Sequence, residues 1–124
     1  VTDDTLSGLW VVDSGASNHM TNREDILVNV KSQNNVITTV DGSKLRCSKV
    51  GDFILKLDSI ELKLSNVIVV PKLAANLVSV SALSNDGYSV TFTGGVCKIR
   101  KGGNYVSLSH KDGIYCLSVM KYEE

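Results

Sequence analysis

Short runs of apolar and β-branched residues alternate with turn-forming residues along almost the whole chain. The turns recur about every eight to twelve positions, a spacing typical of a β-sandwich or a small β-barrel. The polar segment 17–24 is predicted to be a loop. The predicted strands are Leu9–Asp13, 35–40, 43–49, 53–57, 60–64, 66–70, 88–93, Val96–Lys101, 105–109 and 114–119. The pattern therefore predicts an all-β fold.

Two segments interrupt this repetition of strands. Asp41-Gly42 lies between strands 35–40 and 43–49, and Asp-Gly between alternating residues is a strong hairpin signal. Pro71 ends the apolar run before it. A single short helix is then predicted over residues 79–85, with Ser79 or Asn76 as its N-cap and Gly87 as its end.

Composition limits the domain count and the class of partner. The chain has 124 residues, enough for one domain, and 43% of them are hydrophobic, enough for a core. Lys and Arg number 13 and so do Asp and Glu, so the sequence predicts no direct nucleic-acid binding. No apolar run is long enough to cross a membrane, so no membrane partner is expected. Because the sequence does not begin with Met, we expect it to be a segment of a longer chain.

The cysteines and histidines predict neither a disulfide framework nor a metal site. Cys47, Cys97 and Cys116 are far apart in sequence and lack the C-x-x-C spacing of zinc ligands. They are interpreted as buried thiols in a reducing compartment. Of the two histidines, His19 follows a candidate acidic site by six residues and is expected to brace a loop. No metal or other cofactor is predicted.

Asp13 is the strongest candidate for chemistry, because it ends the apolar strand that begins at Leu9. A carboxylate at the end of a buried strand is costly unless it is paired or used. Gly15 allows a sharp turn and lets backbone N–H groups approach the carboxylate. An aspartic protease needs a carboxylate on such a corner, but an ordinary Asp-Ser-Gly turn has the same sequence.

Two longer blocks resemble the proteases of Ty1/copia retrotransposons, which belong to the retropepsins. The first block is Trp10-Val11-Val12-Asp13-Ser14-Gly15-Ala16-Ser17-Asn18-His19-Met20-Thr21. The second runs over residues 67–71 and then through Asn76-Leu77-Val78-Ser79-Val80-Ser81-Ala82-Leu83. The segments Val40-Asp41-Gly42-Ser43 and Gly113-Ile114-Tyr115-Cys116-Leu117 are similar to the family's flap region and to the start of its protease–integrase connector. The resemblance covers residues 10 to about 119.

The resemblance implies a retropepsin-like closed barrel or sandwich with a flap hairpin and one short helix. It implies that Asp13 is catalytic, that Ser14, Gly15 and Ala16 form the active-site loop, and that Val40, Asp41 and Gly42 form the flap over an extended peptide. Asn76, Leu77, Val78 and Ser79 would form the structural second motif. Many retropepsins have Gly where this chain has Ser79, and the copia pattern has Ser.

The resemblance also implies how the protein would be assembled and used. The chain has one Asp-Ser-Gly and such a protease needs two carboxylates, so we expect a homodimer with one Asp13 from each protomer. The expected substrate is the protein's own Gag-Pol polyprotein, and the expected location is the cytoplasm, within virus-like particles. The protease domain would span residues 1–124, with 1–8 as an N-terminal extension and 110–124 as the possible start of the connector.

Two other functions remain open at this level. The first possibility is a working endopeptidase. The second is a retropepsin fold retained as a dimerising or peptide-binding module with little cleavage. An unrelated β-barrel interaction domain with a chance Asp-Ser-Gly turn is the third possibility. The intact Asp13-Ser14-Gly15 favours the endopeptidase, because a module that does not cleave peptides has no need of it.

Overall fold

The fold is built almost entirely from β-strands. The computed structural model describes residues 9–38, 42–57 and 59–118. The strands are β1 Leu9–Asp13, β2 Met20–Thr21, β3 Val28–Thr38, β4 Lys44–Lys56, β5 Glu61–Val69, β6 Asn76–Ser79, β7 Ser89–Thr93, β8 Val96–Lys101, β9 Asn104–Ser109 and β10 Cys116–Ser118. Helix α1 spans Val80–Asn85, and a 3-10 turn spans Glu24–Ile26. The predicted all-β class with one short helix is confirmed.

The strands form two sheets. Seven of them pair in the order β10-β1-β6-β2-β5-β4-β3, and the other three pair in the order β7-β8-β9. Strand β1 runs parallel to β6, and β2 runs parallel to β5, whereas the remaining pairs are antiparallel. Within the described strands β10 and β3 are the two edges of the larger sheet, and no pairing between them closes it into a barrel.

Four predicted strands are in fact two long ones. Segments 43–49 and 53–57 together form β4, and segments 60–64 and 66–70 form β5, which ends at Val69. The register between them shifts between Gly51 and Phe53, and Asn66 has a φ of 58°. Such a β-bulge interrupts the alternation of apolar and polar residues without ending the strand, so the sequence pattern shows two pieces.

The predicted loop 17–24 contains strand β2, and that part of the prediction is wrong. Met20 and Thr21 pair with Ile68 and Val69 of β5, and Met20 also pairs with Leu77 of β6. Two residues carry too little periodicity for a strand to be recognised in the sequence. The pairing matters for the site because β2, which comes directly after the loop that follows Asp13, lies between β6 and β5 in the sheet.

Helix α1 has the caps that the sequence predicts. The Ser79 side chain accepts a hydrogen bond from the Ala82 N–H at 3.0 Å, so Ser79 is the N-cap, and Asn76 belongs to β6 instead. Gly87 follows the helix with a φ of 94°, a conformation that suits glycine. Among the described residues, no helix has the length and apolarity needed to cross a bilayer.

The main core lies between the two sheets and beneath the site. Trp10 of β1 is fully buried, and its ring stacks on Phe53 of β4 with the centroids 5.1 Å apart. Cys97 and Ile99 of β8 are also fully buried and belong to the same cluster, so the smaller sheet packs on the larger one. Burial of β1 on this core gives Asp13 a rigid support.

Candidate active site

Asp13 is the last residue of β1, where the strand leaves the core. Val12 is buried, Asp13 is half-buried, and the next two residues are exposed. In the parallel pairing of β1 with β6, Asp13 lies opposite Ser79. The carboxylate is therefore held at the carboxyl end of a central strand, next to the first turn of α1.

The loop after Asp13 turns back onto the carboxylate. The Gly15 N–H donates a hydrogen bond to Asp13 Oδ1 at 2.8 Å. A Cβ atom at Gly15 would lie 3.3 Å from the same oxygen, so this close approach suits a residue without a side chain. The local hydrogen bond that the sequence suggests is present, whereas the catalytic roles of Asp13, Ser14, Gly15 and Ala16 stay predictions.

A groove of about 280 Å³ runs alongside this loop. One wall comes from the loop and β2, and the other comes from the end of β3. Its lining residues are Gly15, Ala16, Ser17, Asn18, Met20, Val36, Ile37 and Thr38. β3 and β4 pair antiparallel up to Thr38 and Lys44, which confirms the predicted pairing of the two hairpin strands, and the end of β3 lies against the groove.

The predicted flap tip is described only in part. Val40 and Asp41 lie outside the described residues. Gly42 has a φ of 89°, and a Cβ atom there would meet no heavy atom of the described residues within 4 Å. The conformation agrees with the predicted Asp-Gly turn. The role of Val40, Asp41 and Gly42 in substrate binding stays a prediction.

The second motif forms strand β6 beside β1. Val78 is fully buried, and Leu77 is half-buried. The Asn76 side chain accepts a hydrogen bond from Thr21 Oγ1 at 2.6 Å and donates one to the Leu9 carbonyl at 3.0 Å. Asn76 therefore links β6 to both β1 and β2 inside the core, where each polar group needs a partner.

Ser79 holds the loop that follows Asp13. Its Oγ donates to the Ala16 carbonyl at 2.7 Å, and its backbone N–H donates to His19 Nδ1 at 2.9 Å. Its φ is −82°, so the backbone at this position does not require the glycine found in many retropepsins. Compared with glycine, Ser79 adds two side-chain hydrogen bonds, one to the Ala16 carbonyl and one that caps the helix.

His19 is fully buried and neutral. Burial lowers its pKa from 6.5 to about 4, and the negative charge of Asp86 opposes this shift only in part. The backbone around it is paired as well, since the His19 carbonyl accepts from the Ile68 N–H at 2.9 Å. The expectation that His19 braces a loop agrees with these contacts.

The structure brings together residues that are distant in sequence. Asp13, Ala16, His19, Asn76 and Ser79 meet at the junction of β1, β6 and the loop. Sequence reasoning missed Thr21, because a Thr in a polar segment gives no sign of being buried against Asn76. Within the described ranges, no three His, Cys, Asp or Glu side chains cluster closely enough to hold a metal ion.

Comparison with known proteins identifies the family. Residues 10–88 match the sequence profile of the family described as "Pol polyprotein, beta-barrel domain". Over 89 residues the chain is 35% identical to the retrovirus-related Pol polyprotein from transposon RE1 of Arabidopsis thaliana. That alignment covers 69% of this chain and 6% of the polyprotein, so the chain corresponds to a small part of its relative. The family profile spans more than half of the chain, and the protein therefore belongs to the Pol polyprotein β-barrel domains and is a retrotransposon Pol region.

Proposed function

We propose that the protein is a homodimeric aspartic endopeptidase that cuts the Pol-type polyprotein of which it is a part. The observation that carries the proposal is the position of Asp13. Its carboxylate stands at the end of a core strand, accepts the Gly15 N–H at 2.8 Å and is followed by a loop that lines a groove. A reactive carboxylate must be held in this way by a rigid scaffold.

The need for a second carboxylate supports a dimer. No other Asp in the sequence is followed by Ser-Gly or Thr-Gly. Two of the other aspartates are used structurally, since Asp25 pairs with Arg23 and Asp52 accepts hydrogen bonds from Asn29 and Asn66. A twofold axis beside the Asp13 loop would supply an identical carboxylate from the second protomer.

The chemistry follows from two carboxylates about 3 Å apart, which cannot both ionise and therefore share one proton. The ionised Asp13 takes a proton from a water molecule, whose oxygen attacks the peptide carbonyl. The protonated Asp13 of the other protomer gives its proton to the carbonyl oxygen. The Asp13 that took the water proton then gives it to the leaving nitrogen as the C–N bond breaks, and the other Asp13 takes a hydroxyl proton from the tetrahedral intermediate, so the pair again shares one proton.

The groove supports a polypeptide as the substrate. It lies between the Asp13 loop and β3, and its lining combines small residues with apolar ones such as Met20, Val36 and Ile37. An extended peptide could lie there beside β3 and pair with a neighbouring strand through its backbone. Because the chain matches part of a much longer Pol polyprotein, the polyprotein sequence that would flank this chain is the natural substrate to test.

The test compares cleavage of the precursor, which is this chain with its flanking polyprotein sequence, by the wild type and by Asp13→Asn. We expect Asp13→Asn to reduce cleavage by roughly a thousandfold or more. Asp112→Asn is the matched control, because Asp112 lies in an exposed turn with a φ of 55°, which Asn also adopts readily. The control should cleave like the wild type.

Two results would overturn the proposal. One is cleavage by Asp13→Asn at the wild-type rate. The other is a wild-type protein that binds the peptide without cutting it, which would make the domain a peptide-binding module. Sedimentation of wild type and Asp13→Asn, both of which should dimerise, gives an independent check. A strictly monomeric protein at high concentration contradicts the dimer.

A further inference from the structure

We propose that His19 is a positioning residue for Asp13, which acts by accepting a hydrogen bond from the Ser79 N–H through Nδ1. The inference rests on the proposed protease function and assigns a specific task to a residue outside the Asp-Ser-Gly motif. His19 itself does not touch the substrate in this account. It acts through Ser79, which lies opposite Asp13 in the sheet.

The geometry makes Ser79 the point where the loop is fixed. Ser79 is bonded to the start of the loop through the Ala16 carbonyl at 2.7 Å and to its end through His19 Nδ1 at 2.9 Å. The same residue caps α1 and pairs in register with Asp13. A loop held at both ends by one residue of the neighbouring strand keeps the Gly15 N–H, and the Asp13 carboxylate that it bonds, in a fixed position.

The protonation of the ring follows from this contact. Because Nδ1 accepts a hydrogen bond, the proton of the neutral imidazole resides on Nε2. Nε2 is buried and has no hydrogen-bond partner among the described residues. Leaving a buried donor without a partner destabilises the folded state. An apolar side chain would avoid that cost, so packing alone does not account for a histidine here.

Its burial also separates His19 from direct chemistry. The side chain is fully buried and Nδ1 is already occupied by the Ser79 N–H. A general base must instead reach the proton that it removes. The useful property of His19 is therefore a rigid acceptor atom at the Nδ1 position. Asn places its Oδ1 in the same position relative to the backbone, whereas Leu has a similar bulk and no acceptor.

The experiment measures peptide cleavage by wild type, His19→Asn and His19→Leu. We expect His19→Leu to lower kcat by roughly tenfold to a hundredfold with little change in KM, because the carboxylate moves while the groove remains. His19→Asn should recover kcat to within about threefold of the wild type. His110→Leu is the control, since His110 Nδ1 also accepts a backbone N–H, from Gly113 at 3.1 Å, in an exposed turn.

A second readout does not depend on cleavage. The amide resonance of Gly15 reports its hydrogen bond to Asp13 Oδ1 and can be recorded by NMR for each variant. It should shift in His19→Leu and remain in place in His19→Asn and His110→Leu. If the wild type itself does not cleave peptide but the Gly15 resonance follows this pattern, the positioning role stands and the protease proposal fails.

If the wild type cleaves, equal kcat values for His19→Asn and His19→Leu would overturn the positioning role, whether both variants lose kcat or both keep it. Loss in both would mean that the imidazole itself is needed, and retention in both would mean that no acceptor is needed. An unchanged Gly15 resonance in a folded His19→Leu would also contradict it. Thermal unfolding of each variant shows whether that variant is folded before the comparison is made.

Discussion

At the scale of single residues, Gly15 lies against the carboxylate that it hydrogen-bonds. A Cβ atom there would be 3.3 Å from Asp13 Oδ1, which is tight but can be relieved by a small shift of the carboxylate. We therefore expect Gly15→Ala to lower kcat by roughly tenfold while the free energy of unfolding changes by less than about 1 kcal/mol. Steady-state kinetics and urea unfolding of the same preparation measure the two quantities.

Gly103→Ala is the control for that substitution, because a Cβ atom at Gly103 would meet no heavy atom within 4 Å in the part of the chain that the structure describes. It should change neither kcat nor stability appreciably. Full activity in Gly15→Ala would show that the carboxylate tolerates displacement. A large loss of stability would instead show that Gly15 serves the fold and not the position of Asp13.

The buried His19 makes stability depend on pH. Its pKa is about 4 in the folded protein and 6.5 when unfolded, so the unfolded state binds the additional proton between these values. With respect to His19, the free energy of unfolding is highest above pH 6.5 and decreases as the pH falls to about 4. A pKa lowered by this amount corresponds to a decrease of about 3 kcal/mol in the free energy of unfolding. Below pH 4 both states are protonated and the loss stops.

Urea unfolding at pH 7, 5.5 and 4, at one protein concentration, tests this dependence. Wild type should lose about 3 kcal/mol more than His19→Asn between pH 7 and pH 4, because Asn does not titrate. Parallel pH curves for the two proteins would mean that His19 is solvated or paired in its charged form. A fixed concentration matters because a dimer gains stability as concentration rises.

Residue-level features were predictable where they are local. The strand that ends in Asp13 and the approach of Gly15 follow from adjacent residues, as does the Ser79 cap of α1. The bond from Ser79 to His19 joins residues 60 positions apart, and that from Thr21 to Asn76 joins residues 55 apart. Nothing in one sequence shows which distant polar groups meet, so these contacts required the structure.

At the scale of elements, the bulge in β4 has a defined packing partner. Gly51 is buried, and a Cβ atom there would lie 2.9 Å from Leu27 Cβ and 3.0 Å from the Val28 carbonyl oxygen. The backbone oxygen cannot move without disturbing β3. We expect Gly51→Ala to lower the free energy of unfolding by roughly 1–3 kcal/mol, as other overpacked core positions do.

Urea unfolding of Gly51→Ala beside Gly103→Ala separates crowding from the general effect of replacing glycine. The open position should change stability by less than about 1 kcal/mol. Equal stability of the two variants would mean that β3 and β4 can separate at the bulge without cost. The comparison also bears on the groove, because β3 forms one of its walls.

Element types were predictable and their extents were not. The predicted strand Val96–Lys101 matches β8, because the glycine pairs on either side of it, Gly94-Gly95 and Gly102-Gly103, form turns that depend only on neighbouring residues. The bulge near Gly51 divided one strand into two predicted ones, and β2 is too short to show a period of two. Tertiary pairing, not local propensity, determines both features.

At the scale of the whole molecule, the order of strands in the sheets could not be predicted from the sequence pattern. Strand β1 lies between β10 and β6, which come from the far end and the second half of the chain. The resemblance to Ty1/copia proteases led to the prediction that Asp13 is catalytic and that residues 76–79 form the second motif. The structure adds that β6 runs parallel to β1, so Ser79 lies opposite Asp13. The family match shows that the chain is a region of a Pol polyprotein. The dimeric active site is a proposal that goes beyond this match.

In the proposed dimer, both carboxylates of the active site are Asp13, one from each of two chains. Mixing wild type with Asp13→Asn at constant total concentration tests it, because mixed dimers then hold a single carboxylate. At equal amounts, random pairing predicts roughly a quarter of the wild-type cleavage rate. A rate of roughly one half, falling in proportion to the wild-type fraction, would show that each chain acts alone and would contradict the account.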